Sequence, residues 1–171
     1  TAPGLILEKN GKTAILLPGP PNELIPMFEE SVFSYLRKKQ PEIIYSQMVK
    51  ICSIGESQVA EEIEDLIESQ TNPTIAPYAK TGEVHLRITA KGKNEKECKK
   101  LIKPVVKELK ARFGRNIFAT EESKSLEEAV VDMLKEQEMT LSLAESCTGG
   151  AIAARIVNVS GASEVFLQGM V

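Results

Sequence analysis

The chain has 171 residues, of which 42% are hydrophobic and 26% charged, and carries a formal net charge of −3, enough length for one large or two small cores. That charge offers no general attraction for nucleic acid or an anionic membrane, no apolar run approaches the ~18 residues of a membrane span, and residues 1 to 20 lack the pattern of a secretory signal. Three cysteines, Cys52, Cys98 and Cys147, with no C-x-x-C pair, suit free thiols in a reducing compartment, so the cytoplasm is the expected location.

The chain opens at Thr1 without a methionine and closes inside the apolar stretch Gly169-Met170-Val171, so it is expected to be a fragment of a longer protein. Leu5-Ile6-Leu7 and Thr13-Ala14-Ile15-Leu16-Leu17 flank Lys9-Asn10-Gly11-Lys12 and predict a hairpin, because Asn-Gly tolerates the positive φ values of a tight type I′ turn. Pro18-Gly19-Pro20-Pro21 ends the second strand. Asn22 is expected to cap a helix with apolar positions at Leu24, Met27, Phe28, Val32 and Leu36, Pro26 falling in its first turn and Lys38-Lys39 closing it before Pro41.

Residues 46 to 119 predict the order strand, helix, strand, strand, helix, strand. The first strand covers about Gln47 to Ile54, and Val59, Ile63, Leu66 and Ile67 mark the first helix. Thr74-Ile75-Ala76 and the alternating Glu83-Val84-His85-Leu86-Arg87-Ile88-Thr89 flank a turn at Lys80-Thr81-Gly82. A long helix from Glu95 to Phe113 buries Cys98, Leu101, Ile102, Val105, Val106 and Leu109 and stops at Gly114, and Asn116-Ile117-Phe118 supplies the last strand. This split βαβ order fits a ferredoxin-like sheet with both helices on one face.

Beyond it, Ser125 with Glu128 three residues later forms a capping box for a helix through Val130, Met133 and Leu134. Met139 to Ala144 reads as a short buried strand, and Glu145-Ser146-Cys147-Thr148-Gly149-Gly150 as a turn into a small-residue helix over Ala151 to Val157. The whole is α/β with an α+β middle, in three segments: 1–43, 44–120 and 121–171.

The glycine turn is the most informative chemical feature. A strand entering a Gly-rich turn and then a helix leaves backbone N–H groups at the helix start, where the helix dipole favours an anion. Ser146 and Thr148 add hydroxyls, and Gly149 and Gly150 allow close approach, so the turn could hold a phosphate or an oxyanion. The same hydroxyls could equally be plain helix caps.

Ala144-Glu145-Ser146-Cys147-Thr148-Gly149-Gly150, followed by Ala153-Ala154-Arg155 and Val159-Ser160-Gly161-Ala162-Ser163, resembles the opening of the C-terminal domain of the CinA family (competence- and damage-inducible protein A). At the other end, Thr1-Ala2-Pro3-Gly4 and Leu17-Pro18-Gly19-Pro20-Pro21-Asn22-Glu23 resemble the closing motifs of that family's molybdopterin-binding-like domain. The middle region lies where the family carries a KH-like domain, so the resemblance spans the chain.

For the C-terminal segment the resemblance implies an amidohydrolase of pyridine-nucleotide salvage that converts nicotinamide mononucleotide and water to nicotinic acid mononucleotide and ammonia without a cofactor. Ser146 matches the motif serine and is the expected nucleophile, with Glu145, Thr148, Gly149 and Gly150 as substrate-binding positions and Glu145 also holding the turn. In the family the activating tyrosine and lysine come after the point corresponding to Val171, so the site is expected to be incomplete. For the N-terminal segment the resemblance implies a nucleotide pocket and, as the alternative activity, ADP-ribose hydrolysis with a divalent metal. Pro3, Gly4, Gly19 and Pro20 would approach phosphates, and Glu23 would be a metal or water ligand. The competing reading is that these residues only shape the exit into the helix. The resemblance also suggests a homodimer.

A KH-like middle raises RNA binding as a further alternative, beside a non-catalytic linker or oligomer-organising role. KH recognition clamps the nucleic-acid backbone with a GXXG loop, whereas Gly55-Glu56-Ser57-Gln58 lacks the second glycine and leads to Glu61, Glu62, Glu64 and Asp65. Lys96, Lys99, Lys100, Lys103, Lys107 and Lys110 read as a solvated helix face, so nucleic acid is not the expected partner. Cys147 has no histidine nearby in sequence, the one histidine being His85, and the cysteines and histidine form no zinc pattern.

Overall fold

A computed structural model describes residues 3–171, so Thr1 and Ala2 of the first N-terminal motif lie outside the described residues. The chain divides into two compact units, one holding the described residues through Ile43 with Gly92–Asn94, the other Ile44–Lys91 with Glu95–Val171.

In the first unit, β1 (Leu5–Lys9) and β2 (Lys12–Leu16) pair antiparallel with Lys9 opposite Lys12. The loop is Asn10-Gly11 with φ of 52° and 72°, the doubly positive φ pair that a type I′ turn requires. The helical run differs from expectation at its start. α1 (Pro21–Met27) is preceded by an extended Pro20, with no side-chain cap, and the Pro20 carbonyl accepts from the amides of Glu23 and Leu24 at 3.0 and 2.9 Å. Asn22 therefore lies inside the first turn and is not the cap, because Pro21, with its fixed φ and missing donor, is already suited to the first helical position. Pro26 consequently falls past the first turn. A π-helical turn at Phe28–Val32 follows it, and α2 (Phe33–Lys39) completes the run with Arg37, Lys38 and Lys39 at its C-terminal end.

The second unit opens with a four-stranded sheet of β3 (Ile43–Cys52), β4 (Thr74–Lys80), β5 (Glu83–Gly92) and β6 (Ile117–Ala119), in the order β4-β5-β3-β6. The first and third strands of the βαββαβ order thus lie at the centre, as the split βαβ reading requires. β4 runs through Pro77 to Lys80, longer than the sequence suggested, because it is an edge strand where a proline costs no interior ladder bond.

Alternation on β5 sends Val84, Leu86, Ile88 and Ala90 into the core, and on β3 Val49 and Ile51. They pack with Val59 and Ile63 and with Cys98, Ile102, Val106, Leu109 and Phe113 of α5 (Glu95–Phe113). The first helix is broken into α3 (Glu56–Glu62) and α4 (Glu64–Glu68) at Ile63. Arg112 of α5 spans the break: it donates to the Glu62 carbonyl at 2.6 Å and forks onto the Asp65 carboxylate at 2.5 and 2.8 Å. At the break Ile63 takes φ −119° and ψ 9°, and its side chain is buried. The fork also ties both helices to α5 on one face of the sheet.

After β6 the chain forms α6 (Leu126–Glu136), whose capping box is as expected: the Ser125 hydroxyl accepts from the Glu128 amide, and the Glu128 carboxylate from the Ser125 amide. β7 (Leu141–Ala144), α7 (Ala151–Val157), a 3₁₀ turn at Ala162–Glu164 and β8 (Phe166–Met170) follow. β8, which the sequence reading left unassigned, pairs parallel with β7. This βαβ element encloses its own small core of Val131, Ile156, Ala162 and Val165, with Leu134, Leu141, Val159 and Phe166 against it. Among the described residues no helix is long and apolar enough to cross a membrane.

Candidate functional site

Because β7 and β8 are parallel, the turn after β7 emerges at one end of their ladder. The Glu145 amide donates to the Met170 carbonyl at 2.7 Å, which fixes the start of the turn against the end of β8. The chain then reverses through two left-handed glycines, Gly149 at φ 58° and Gly150 at φ 85°. Gly149 donates to the Ser146 carbonyl and Ala151 to the Thr148 carbonyl, both at 3.0 Å.

α7 begins after Gly150, which serves as N-cap without a side-chain bond. The Glu145 carboxylate supplies what the cap lacks: it accepts from the Ile152 amide at 3.0 Å and the Ala153 amide at 2.8 Å. Desolvation raises the proton affinity of that carboxyl, but bonds from the Ala153 and Ile152 amides, the Thr148 hydroxyl and the Gly150 amide outweigh it and hold the group below the usual carboxylate range.

Neither Ser146 nor Thr148 is the helix cap, and the donors at the helix start, in Ile152 and Ala153, are occupied by the chain's own carboxylate. Ser146, Cys147 and Thr148 are exposed, and among the described residues no side chain hydrogen-bonds the Ser146 hydroxyl. Arg155 of α7 forms an ion pair with Glu127 of α6. The Glu127 carboxyl is held low by its own backbone amide first and by Arg155 next. Cys147 is a free thiol, whereas His85 is buried in the sheet of the middle region, bonded to Glu83 at 2.7 Å and edge-on to Phe118.

In the first unit, Pro3, Gly4, Gly19 and Pro20 are exposed and Glu23 is half-buried in the first turn of α1. Gly4 passes against Met27, where a side chain would collide with its sulfur, whereas Gly19 has open space around its Cα. A cavity of about 280 Å³ lies beside Gly4, lined mainly by apolar groups including Ile6, Ile15, Leu17 and Val32. Among the described residues no group of three or more histidine, cysteine or carboxylate side chains could hold a metal ion. Glu23 alone offers too few of the oxygen ligands that a hard divalent cation takes.

In the middle region Gly55 is the N-cap of α3 and no second glycine follows. Of the α5 lysines, Lys99 pairs with Glu95 at 2.6 Å and lies over the Tyr45 ring. Sequence reasoning missed Lys50, a buried lysine on β3 that donates to the carbonyls of Glu122 and Lys124 at 2.7 and 2.8 Å. The available signal was a lysine between Val49 and Ile51 in a strand otherwise built for burial.

The family model described as "Damage-inducible protein CinA KH domain" matches residues 46–119, and that described as "CinA C-terminal domain" matches residues 123–171. The chain is 58% identical over 166 residues to a "CinA-like protein" of Dictyoglomus turgidum, an overlap of 97% of this chain and 40% of that relative. It is 57% identical over 171 residues to a "competence-damage inducible protein" of Clostridium beijerinckii, an overlap of 100% of this chain and 42% of that relative. The chain therefore spans about two-fifths of the length of the curated relatives it matches.

Proposed function

The chain belongs to the CinA family, and from that premise we propose that it carries the nucleophile turn of an amidohydrolase acting on nicotinamide mononucleotide. The observation that carries the reading is the division of labour at the turn: Glu145 satisfies the helix start and leaves the Ser146 hydroxyl exposed and uncommitted.

On this reading Ser146 attacks the carboxamide carbon, ammonia leaves, and water releases nicotinic acid mononucleotide from the acyl-enzyme. A serine at its ordinary pKa is a weak nucleophile and needs a base to take its proton. We assign that base, and the remainder of the substrate pocket, to the portion of the relatives that this chain does not span. Glu145 acts as a positioning residue by fixing the backbone on both sides of Ser146. The Gly149 and Gly150 conformations give the turn the tightness that presents the hydroxyl.

The test is ammonia release from nicotinamide mononucleotide by a version extended to the length of the relatives, with and without Ser146→Ala. Loss of turnover with retained substrate binding is expected. Undiminished turnover in Ser146→Ala overturns the assignment.

A further inference from the structure

The face of the middle sheet turned away from α3, α4 and α5 has no part in the proposed chemistry, yet it concentrates positive charge. Pairing places Tyr78 opposite His85 and Ala76 opposite Arg87, so β4 and β5 present Tyr78, Lys80, His85 and Arg87 on that side. β3 adds Met48 and Lys50. Together with Glu122 these residues line a cavity of about 350 Å³.

Lys50 is only 6% exposed, and its ammonium donates to two neutral carbonyls, those of Glu122 and Lys124. Among the described residues no carboxylate stands within ion-pair distance of Lys50, Lys80 or Arg87. Glu83, the carboxylate next to them on β5, is taken by His85 at 2.7 Å. Arg87 instead lies over the Tyr78 ring at 4.9 Å. A buried ammonium is costly unless an opposite charge compensates it, and here two further cations line the same cavity, with Glu122 the one acidic residue among the described residues that line it.

We propose that this cavity is a binding site for a small phosphomonoester, its phosphate held by Lys50, Lys80 and Arg87. Three cations lining one cavity match a dianion better than a lone carboxylate, and arginine and lysine are the donors that phosphate oxygens favour. The volume lies at the small end of the range for ligand pockets, which suits a mononucleotide or free phosphate rather than a polymer. Met48 and Tyr78 give the cavity an apolar wall beside the cations, on which the flat base of a nucleoside monophosphate would rest. The site is separate from the Ser146 turn and stands whether or not that turn deamidates anything.

The experiment is calorimetric titration of the full chain with adenosine monophosphate and, separately, with inorganic phosphate, at low and moderate salt. One saturable, salt-sensitive site is expected, weakened about tenfold or more by Lys80→Ala/Arg87→Ala, which removes two charge-assisted contacts at exposed side chains, and unchanged in Ser146→Ala. Tighter binding of the nucleotide than of phosphate identifies the nucleoside monophosphate as the ligand; equal binding identifies the free anion. Lys50→Met, whose fold is checked by circular dichroism, is expected to weaken binding as well. Absence of saturable binding by either probe overturns the proposal, as does binding that survives Lys80→Ala/Arg87→Ala intact.

Discussion

Gly150 is where backbone geometry and the candidate chemistry meet. Its φ is 85° and its ψ 7°, a left-handed conformation that costs an L-residue about 1–2 kcal/mol. A Cβ at this position would also stand 3.2 Å from Cγ2 of Val171, so the neighbouring side chain must give way by a few tenths of an ångström. Gly149, at φ 58° with no atom within 4 Å of such a Cβ, carries the conformational cost alone. Gly150→Ala is therefore expected to destabilise the turn by the upper part of that range or more, and Gly149→Ala by less. Because 1.4 kcal/mol corresponds to a factor of ten, hydrogen exchange at the amides of Ile152, Ala153 and Ala154 should accelerate about tenfold in Gly150→Ala. The amides of β5 should keep their protection. A semisynthetic chain, ligated at Cys147 and carrying D-alanine at position 150, separates handedness from crowding: it should recover most of the lost protection, because a D-residue prefers positive φ. Wild-type protection in Gly150→Ala would refute the reasoning, and a D-alanine chain as labile as the L-alanine one would show that left-handedness is not what glycine supplies there.

Two further outcomes follow from specific contacts. The Glu145 carboxyl lies below its ordinary value of 4.5 in the folded chain, so its contribution is present above that value and is lost as pH falls through the lower folded one. The protection of the Ile152 and Ala153 amides, referenced to their intrinsic exchange rates at each pH, should therefore fall on acidification below about pH 4.5, and Glu145→Gln should flatten that dependence. A pH profile unchanged by Glu145→Gln would show that another group governs the turn. Lys50 holds segment 122–124 by two carbonyls, so Lys50→Met should speed cleavage at residues 121–122 by a glutamate-specific protease. An unchanged cleavage rate would mean that the segment is fixed by other contacts.

Most of the middle fold was legible because its signals are local and mutually consistent. The alternation of Val84, Leu86 and Ile88 on β5, the stripe of Cys98, Ile102, Val106 and Leu109 on α5, and the Ser125/Glu128 pair each predicted the element that formed. The departures came from tertiary contacts or from backbone chemistry. Nothing near Ile63 announces a helix break, and the residue that spans it, Arg112, is distant in sequence. Asn22 looked like a cap, but the helix starts two residues sooner, at Pro21 with Pro20 as its N-cap. Phe166-Leu167-Gln168-Gly169-Met170 lacks β-branched residues and contains a glycine, so its strand state is decided by pairing with β7 and not by propensity.

The candidate site shows where a pattern stops short of a mechanism. A glycine turn before a helix implies an anion at the helix start, and the structure contains that anion, but it is Glu145 of the same chain. A nucleotide phosphate at the donors of Ile152 and Ala153 would have to displace the carboxylate that already accepts from both amides. It would thereby loosen the turn that presents Ser146. On the proposed reading, substrate phosphate is therefore bound elsewhere, and an oxyanion formed at Ser146 is stabilised by groups other than these helix amides. A Glu145→Gln version of the extended protein separates the two arrangements. Exclusion of phosphate by Glu145 predicts a lower kcat with little change in KM, since glutamine keeps an acceptor for the helix but holds it less tightly. A large fall in KM would mean that the Glu145 charge had been repelling a phosphate bound at the helix start, and would place the substrate there after all.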